Sequence, residues 1–588
     1  MTVHRLARAL APLALLVAAP AQGAPADDFH QLLTDHWRWV LDEDPVLAKS
    51  LGERAGPGLA DLSLAADDRR TARAQTFLDR LDAIPTDQLS PADRTSARLL
   101  ARQLSETVEA NRFPQRAMLF TTYSGWQQEV AGLAEQLPFR TKADYRDYLD
   151  RLADYPRVNG EAIATSDVAL KDGLVLPCAV LGGVEASIAG VVPDDPAASR
   201  FYKPFAGTRP VDASAAEWTA LQGEATALIR DRLAPAYARH LDWYRTRYQP
   251  ACRQSVGVSE LPQGPAYYAF RVRQMTTTAM TPDQVHQLGL AEVARIRAEM
   301  AAVAAKAGFA SREAMIQAMR TDLKYYPKSP QELMAAAATQ AKAIDGMLPR
   351  FFGRLPRLPY GVKAIPAETA EGTTTAYYSP GNPSAGIAGF YFVNTSKLDQ
   401  RPLWELPALT AHEAVPGHHL QIALQQELDL PPFRRFGGFV TAFVEGWGLY
   451  SEKLGEEMGL YDTPEKQMGR LSYEMWRATR LVVDTGLHSK GWSKSQAVAF
   501  MTDNTALTPA NIDAEVNRYI SWPGQALAYK LGELKIRELR ARAETALGPR
   551  FRLPAFHDAV LGQGAVPLDV LEEQVDAWIA GETAKPIG

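Results

Sequence analysis

The sequence predicts a mainly α-helical protein with one small β element. The 588 residues are 46% hydrophobic and 22% charged, which is the balance of a folded globular chain. Strand-like runs are sparse, whereas several long stretches carry apolar residues at helical spacing. The stretches that predict these helices are 28–53, 67–83, 91–111, 143–170, 214–246 and 281–308.

The stretch 281–308 carries the clearest helix signals. Thr281-Pro-Asp-Gln284 has the pattern of a capping box, with Pro282 at the first helical position. Apolar residues then recur at helical spacing until Gly308, which favours termination. The sequence therefore predicts one long amphipathic helix here.

The β element is predicted in the run Gly389–Asn394, which follows a Pro-, Gly- and Ser-rich stretch at 379–386. It could be an edge strand that pairs with an extended peptide, or a plain core strand. The loop-rich region 354–400 is the candidate seam between an N-terminal helical lobe, 25–353, and a C-terminal metal-binding catalytic lobe, 354–588. The two could also form one continuous domain.

The N-terminus has the plan of a secretory signal peptide over residues 1–24. A basic start with Arg5 and Arg8 precedes an apolar run, Leu10–Ala21, and small residues follow. The run is too short to cross a bilayer, and no cysteine follows it that could carry a lipid. We therefore expect a periplasmic or secreted protein with no membrane insertion after signal removal.

Two cysteines and a net charge of -5 exclude several classes of protein. Cys178 and Cys252 cannot build a disulfide scaffold, although an oxidising compartment would allow them to pair. The acidic balance argues against a nucleic-acid partner. The phosphate-loop, dinucleotide-binding and G-x-S-x-G motifs are all absent from the sequence.

The chemistry of the chain concentrates in the segment His412-Glu-Ala-Val-Pro-Gly-His-His419. The common zinc-hydrolase signature H-E-x-x-H places two histidine ligands one helical turn apart and uses the glutamate as general base. Here Pro416 stands where the second histidine is expected. A helical Pro416 would clash with the carbonyl of His412, so the helix should bulge or kink after Val415.

A two-residue bulge would return His418 to the position of the second histidine. Gly417 can adopt the backbone dihedrals that such a bulge needs. We therefore predict His412 and His418 as metal ligands, with His419 behind them or against substrate. The reverse assignment, with His419 as ligand, stays open.

A third ligand is predicted at Glu445 in the segment Phe443-Val-Glu-Gly-Trp-Gly-Leu-Tyr450. The apolar flanks of this helix would bury the carboxylate, which is costly without a partner such as a metal. A solvated glutamate is the simpler alternative. Glu452, two turns further on, could accept a hydrogen bond from a ligand imidazole or form a surface ion pair.

The motif H-E-x-x-P-G-H-H with a later E-G-W resembles a bacterial family catalogued as a domain of unknown function, whose members are often secreted. Three further blocks resemble the family, so the likeness covers most of the mature chain. These blocks are Leu261-Pro-Gln-Gly-Pro-Ala-Tyr-Tyr268, Val483-Asp-Thr-Gly-Leu-His488 and Trp522-Pro-Gly-Gln-Ala-Leu-Ala-Tyr529.

The family in turn resembles gluzincin-type zinc peptidases, the helical oligopeptidases and carboxypeptidases that bind zinc through two histidines and a glutamate. This resemblance implies a large helical metallopeptidase-like fold with a deep central cleft. It also implies a peptide substrate and zinc as cofactor. Pro416, at the place of the second histidine, is a departure from the H-E-x-x-H pattern of those peptidases.

The predicted reaction is hydrolysis of oligopeptides by water that the zinc ion activates. Glu413 would be the general base, and a further donor would stabilise the oxyanion. His488, Tyr519 and Tyr529 are the candidate donors, each of which could instead be a packing residue. The alternative function is a non-catalytic periplasmic binding or scaffold protein on a degenerate metallopeptidase fold.

Substrate anchoring and assembly stay open at this level. Arg480 or Arg518 could hold a peptide carboxylate, or either could be a surface arginine. Tyr267 and Tyr268 could line the cleft, but both cannot face it from one regular strand. The sequence leaves open the side-chain specificity, the end of the peptide attacked and the oligomeric state.

Overall fold

The computed structural model describes residues 24–122, 124–370 and 373–585. Over these ranges the backbone is mainly α-helical and includes one small sheet, which confirms the predicted fold class. The predicted signal peptide, 1–24, lies outside the described residues except for Ala24. No helix in the described part is long and apolar enough to cross a membrane.

Fifteen α-helices precede the histidine motif in the described part of the chain. They are α1 (Pro25–Glu43), α2 (Pro45–Ser50), α3 (Leu64–Asp82), α4 (Pro91–Ala110), α5 (Trp126–Ala131), α6 (Leu133–Gln136), α7 (Lys142–Lys171), α8 (Val184–Ala189), α9 (Ala215–Leu228), α10 (Ala234–Trp243), α11 (Gly264–Thr276), α12 (Pro282–Lys306), α13 (Arg312–Thr321), α14 (Pro330–Asp345) and α15 (Ala367–Ala370).

Nine further α-helices contain or follow the histidine motif in the described part of the chain. They are α16 (Leu406–Glu413), α17 (His418–Glu427), α18 (Thr441–Leu454), α19 (Pro464–Ser489), α20 (Lys494–Asn504), α21 (Pro509–Ser521), α22 (Ala528–Leu547), α23 (Leu553–Leu561) and α24 (Leu568–Ala584).

The predicted helices form, with local interruptions that the amphipathic pattern does not reveal. The capping box of α12 is present, with bonds in both directions between Thr281 and Gln284. The stretch 28–53 divides at Asp44, because Pro45 lacks an N–H and Asp44 caps a new helix there. The stretch 214–246 contains a π-helical turn, Ile229–Leu233, between α9 and α10.

The β element is a three-stranded sheet in the order β1-β3-β2, with β1 at Tyr360–Ala364, β2 at Ala376–Ser379 and β3 at Gly389–Val393. Strand β1 runs parallel to β3, and β2 runs antiparallel to it. The predicted strand therefore exists but is the central one, so the edge-strand alternative for Gly389–Asn394 is wrong. The residues Tyr391 and Val393 of β3 are buried in the core.

Two long helix pairs organise the core around the motif: α12 packs along α19, and α18 packs along α22. Glycines allow the second pair to approach closely. A Cβ atom on Gly532 would lie 1.8 Å from the carbonyl oxygen of Ala442, and one on Gly446 would lie 2.6 Å from the Gly532 backbone. This contact brings α22 directly against the helix that carries Glu445.

Cys178 and Cys252 form a disulfide bond across 74 residues of sequence. It joins the segment after α7 to the segment after α10, beside the bridge that Pro177 makes with Arg253. The pairing that the sequence left open is therefore present.

Candidate metal centre

The histidine motif folds as the end of one helix, a four-residue break and the start of another. His412 and Glu413 are the last residues of α16, and His418 and His419 are the first residues of α17. The peptide bond between Val415 and Pro416 is cis. The sequence predicted that the helix bulges or kinks after Val415, with a two-residue bulge at Pro416-Gly417. The interruption is confirmed, but its extent was wrong, since it spans the four residues Ala414–Gly417.

Backbone crowding explains why the break is this long. Ala414 leaves the helical region with φ -98° and ψ -104°, and Gly417 sits at φ -74° and ψ -125°. A Cβ atom at Gly417 would lie 1.9 Å from the carbonyl oxygen of His412 and 2.5 Å from that of Ala411. Only glycine fits at this turn, which folds the chain back so that His418 faces His412.

The turn brings His412 and His418 together with Glu445 of α18. One nitrogen of each imidazole and one oxygen of the carboxylate all lie within 4.8 Å of one another. Glu445 Oε2 is 3.6 Å from His412 Nε2 and 3.5 Å from His418 Nε2. His412 is buried, whereas the side chains of His418 and Glu445 are 11% and 12% exposed, so the group opens towards solvent on their side.

The segment Glu445-Gly-Trp-Gly448 has a structural reason at each position. Glu445 supplies the carboxylate and Gly446 admits α22. Trp447 donates from Nε1 to the carbonyl oxygen of Pro416 at 2.8 Å, which ties α18 to the break in the motif. A Cβ atom at Gly448 would lie 2.7 Å from Cε1 of His412, so only glycine leaves room for that ring.

The buried side chain of Glu452 lies behind His412. The backbone carbonyl oxygen of Glu452 accepts a hydrogen bond from the Tyr461 hydroxyl at 2.6 Å. Its Oε1 lies 2.8 Å from His412 Nδ1 and 3.0 Å from Arg477 Nη2. Because Nδ1 donates its proton to this carboxylate, Nε2 is the nitrogen that faces Glu445 and His418 and could bind a metal. Glu452 is buried and pairs with Arg477, so the alternative of a surface ion pair is wrong.

Electrostatics couple the three donor side chains strongly. Burial alone lowers the pKa of His412, but its contacts with Glu445 and Glu452 outweigh this effect and raise the pKa to about 9. Burial raises the pKa of Glu445, whereas its contacts with the two imidazoles hold that pKa well below the usual value. The carboxylates of Glu445 and Glu452 therefore favour a positive charge at His412.

His419 points away from this group, towards the sheet. Its Nδ1 lies 2.9 Å from the hydroxyl of Tyr378, and its ring packs 4.5 Å from that of Tyr360. Burial lowers its pKa to about 4, so it is a neutral imidazole. His419 connects α17 to β1 and β2 and is not among the three convergent donors.

Tyr529, at the start of α22, is the predicted oxyanion donor that the structure brings to the group. Its ring stacks on that of His412 with centroids 6.2 Å apart and planes 18° apart. Its hydroxyl accepts from Arg518 Nη2 at 2.9 Å, and Gln525 Nε2 lies 3.5 Å away. Gln525 and its contact with Tyr529 were missed by sequence reasoning, although Gln525 belongs to the block Trp522–Tyr529.

Tyr519 and His488, the other two candidate donors, form their hydrogen bonds in the core, away from the three convergent side chains. The Tyr519 hydroxyl accepts from Trp476 Nε1 at 2.9 Å and from Arg480 Nε at 2.8 Å, in the core. Both His488 nitrogens bond to backbone, Nε2 to the Tyr519 carbonyl and Nδ1 to the Val258 N–H. Burial lowers the pKa of His488 to about 4.

Asp484 anchors the loop that leads to Tyr529. Its carboxylate accepts from the hydroxyl of Tyr268 at 2.6 Å and from the backbone N–H of Gly524 at 3.2 Å. Burial raises the pKa of Asp484 to about 7. Tyr268 therefore lies on helix α11, not on a strand, and its buried hydroxyl binds Asp484 instead of lining a cleft.

Arg477, which supports Glu452, is another residue that no signal in the sequence reveals.

Two solved structures resemble this chain over nearly its whole length. One is a candidate lipoprotein from Colwellia psychrerythraea, with a TM-score of 0.88 and 26% identity, covering 95% of this chain and 100% of that one. The other is a candidate lipoprotein of unknown function from Shewanella oneidensis, with a TM-score of 0.65, 20% identity, and coverage of 94% and 99%. The second likeness concerns the fold alone.

No curated protein matches the sequence. A family model described as "Bacterial protein of unknown function (DUF885)" matches residues 45–575. This range includes the histidine motif, the segment with Glu445 and the block that ends at Tyr529. The chain belongs to this bacterial family of unknown function.

Proposed function

We propose that this protein is a zinc-dependent peptidase that hydrolyses peptide bonds of oligopeptides. The observation that carries the proposal is the convergence of His412, His418 and Glu445. Glu413, which follows His412 directly in the chain, supplies a carboxylate outside that group. A purely structural metal site has no use for a nearby general base. The resemblance of the motif to gluzincin-type peptidases supports the same reaction.

The donor set fits zinc in both chemistry and spacing. Two imidazoles and one carboxylate with a position left open is the ligand set of a hydrolytic zinc site. With zinc–ligand bonds near 2.0–2.1 Å, tetrahedral geometry separates two ligand atoms by about 3.4 Å. The distances from Glu445 Oε2 to Nε2 of His418 and of His412, 3.5 and 3.6 Å, are close to this value. Zinc would activate water and polarise the peptide carbonyl.

Glu413 is the residue that we assign as general base. It follows His412 directly in the chain, is partly exposed, and has no hydrogen-bond partner among the described residues. Its carboxylate would take a proton from the attacking water and pass it to the leaving amine. Keeping this group unpaired costs little at a partly exposed position and leaves both oxygens available to water.

Tyr529 is the residue that we assign to the oxyanion. Its oxygen already accepts from Arg518, so its own proton is available to donate to a carbonyl oxygen that gains negative charge. The stacked ring of His412 holds the phenol in place. A donor that is fixed before the reaction stabilises the developing charge without reorganisation.

We also propose a periplasmic or secreted location. The N-terminal signal pattern supports it, and so does the disulfide between Cys178 and Cys252, because such bonds persist in oxidising compartments. The two structural relatives are described as candidate lipoproteins, which is consistent with a place outside the cytoplasm.

A peptide digest tests the proposed function. The mature chain, loaded with one equivalent of zinc, is incubated with a mixed oligopeptide library and the products are read by mass spectrometry. We expect cleavage by wild type and a loss of at least about 10³-fold in Glu413→Gln, with zinc content unchanged. Absence of turnover in wild type with bound zinc would reject the proposal in favour of a binding or scaffold protein.

A further inference from the structure

A cluster of hydrogen-bond donors surrounds the Tyr529 hydroxyl beside the candidate metal centre. Arg518 Nη2 donates to this hydroxyl at 2.9 Å and to Gln525 Oε1 at 2.7 Å. A guanidinium group has donors but no acceptor, and the Tyr529 oxygen is itself accepting. The cluster therefore offers protons to a ligand that brings oxygen acceptors.

The same region holds two guanidinium groups. Arg480 lies with its guanidinium 4.2 Å over the Tyr529 ring and its Nη2 2.8 Å from Glu515 Oε2. Arg518 Nη1 is 3.6 Å from the other oxygen of Glu515, so two guanidinium groups share one carboxylate. Arg480 Nη1 is buried with no hydrogen-bond partner in the described part of the chain. A ligand oxygen that reached this nitrogen would satisfy its unmet hydrogen-bonding capacity.

Arg518 is the member of this arginine pair that solvent reaches. Its side chain is 16% exposed, whereas those of Arg480 and Glu515 are each 2% exposed. Tyr529 spans the distance between Arg518 and the metal centre, because its hydroxyl touches Arg518 and its ring stacks on His412. A ligand bound at Arg518 would thus lie about one tyrosine side chain from His412.

We propose that Arg518 binds the C-terminal carboxylate of the peptide substrate, while the Tyr529 proton stays available to the oxyanion, and that the enzyme is a carboxypeptidase. The inference rests on the proposed function and names its substrate class. A carboxylate held at Arg518 presents a peptide bond near the C-terminus to the three donors. Glu413 takes a proton from water as the water oxygen bonds to the carbonyl carbon, the C–N bond breaks, and the leaving amine takes that proton from Glu413.

The test compares one N-acetylated tetrapeptide library made in two forms, with a free C-terminal carboxylate and with a carboxamide. For zinc-loaded wild type we expect kcat/KM to be roughly tenfold or more higher for the free acids. In Arg518→Met this ratio should fall towards one. In Arg518→Lys, which keeps the charge but not the planar fork, the ratio should be intermediate. The ratio is internal to each variant, so a partly unfolded sample does not change it.

The matched control is Arg232→Met, an exposed arginine on the Ile229–Leu233 turn whose bond is to Ala153 of α7. It should keep the wild-type ratio. Equal hydrolysis of both forms by wild type, or an unchanged preference in Arg518→Met, would overturn the carboxylate site while peptidase activity stands.

If wild type cleaves neither form, the proposed function fails and binding decides the carboxylate site separately. Calorimetry then measures the Kd of N-acetyl-tetraalanine and of its carboxamide for zinc-loaded Glu413→Gln. Binding of the acid at least tenfold tighter, lost when Arg518→Met is added, keeps the site. Equal binding of the two peptides, or no binding of either, rejects it.

Discussion

The Nδ1 atom of His412 lies 2.8 Å from Oε1 of Glu452, and both side chains are almost completely buried. Arg477 lies 3.0 Å from the same oxygen, and its guanidinium packs 4.2 Å over the Trp476 ring. The three residues form a line from the core to the candidate metal centre. This line sets both the tautomer and the direction of His412, since a ring that donates from Nδ1 presents Nε2 to a cation.

Glu452→Gln should lower zinc affinity by about 10–100-fold, because the neutral amide orients His412 less firmly and makes its Nε2 a weaker ligand. Affinity is measured by competition with a chromophoric chelator at fixed pH. Glu457→Gln, an exposed change just beyond the same helix, serves as control and should bind zinc as wild type does. Equal affinities for the two variants would mean that Glu452 has only a packing role.

Zinc content should depend on three side chains and not on the fourth. We expect about one zinc per chain in wild type, by inductively coupled plasma mass spectrometry, and loss of it in His412→Ala, His418→Ala and Glu445→Ala. His419→Ala should keep its zinc, because His419 contacts Tyr378 and Tyr360 instead. Loss of zinc in His419→Ala with retention in His418→Ala would reverse the ligand assignment.

Gly448→Ala should impair the metal centre without touching a ligand. The added methyl group would lie 2.7–3.0 Å from three atoms of the His412 ring, so the ring must move. We expect zinc affinity to fall by at least about tenfold, since ligand direction controls metal binding. Gly160→Ala is the matched control, because its Cβ within α7 would meet open space. That change should leave zinc affinity unchanged and stabilise the fold by about 0.5–1 kcal/mol.

The helices and the ligand residues were predictable because their signals are local. Capping boxes, amphipathic spacing and the H-E-x-x-P-G-H-H motif all lie within short windows of sequence. The extent of the break at Ala414–Gly417 was not predictable, because it depends on how closely Gly417 approaches the carbonyl oxygens of Ala411 and His412. The strands β1 and β2 were missed because each is short and is stabilised by pairing with β3.

The choice among Tyr519, Tyr529 and His488 depended on contacts between distant helices. Tyr529 reaches His412 because Gly446 and Gly532 let α18 and α22 approach closely. Tyr519, one helix earlier, turns towards Trp476 and Arg480 instead. Nothing within the blocks themselves distinguishes the two tyrosines, since both lie close to Trp522-Pro-Gly-Gln525.

Asp484 should make folding stability depend on pH between about 4 and 7. Burial raises its pKa in the folded protein to about 7, whereas an unfolded aspartate titrates near 3.9. The folded state therefore binds the extra proton in this window, and stability falls as the pH rises through it. The change should be up to about 1.4 kcal/mol per pH unit and should level off above about pH 8.

Urea unfolding of wild type and Asp484→Asn at pH 5, 6, 7 and 8 isolates this contribution, because every other titrating group is common to both proteins. The asparagine does not titrate, so the free energy of unfolding of wild type should drop relative to the variant between pH 5 and 7. Asp503→Asn, an exposed change on α20, should parallel wild type throughout. If Asp484→Asn also parallels wild type, then Asp484 is ionised across the range. Its hold on the Gly524 loop, which leads to Tyr529, would then be that of a permanent charge.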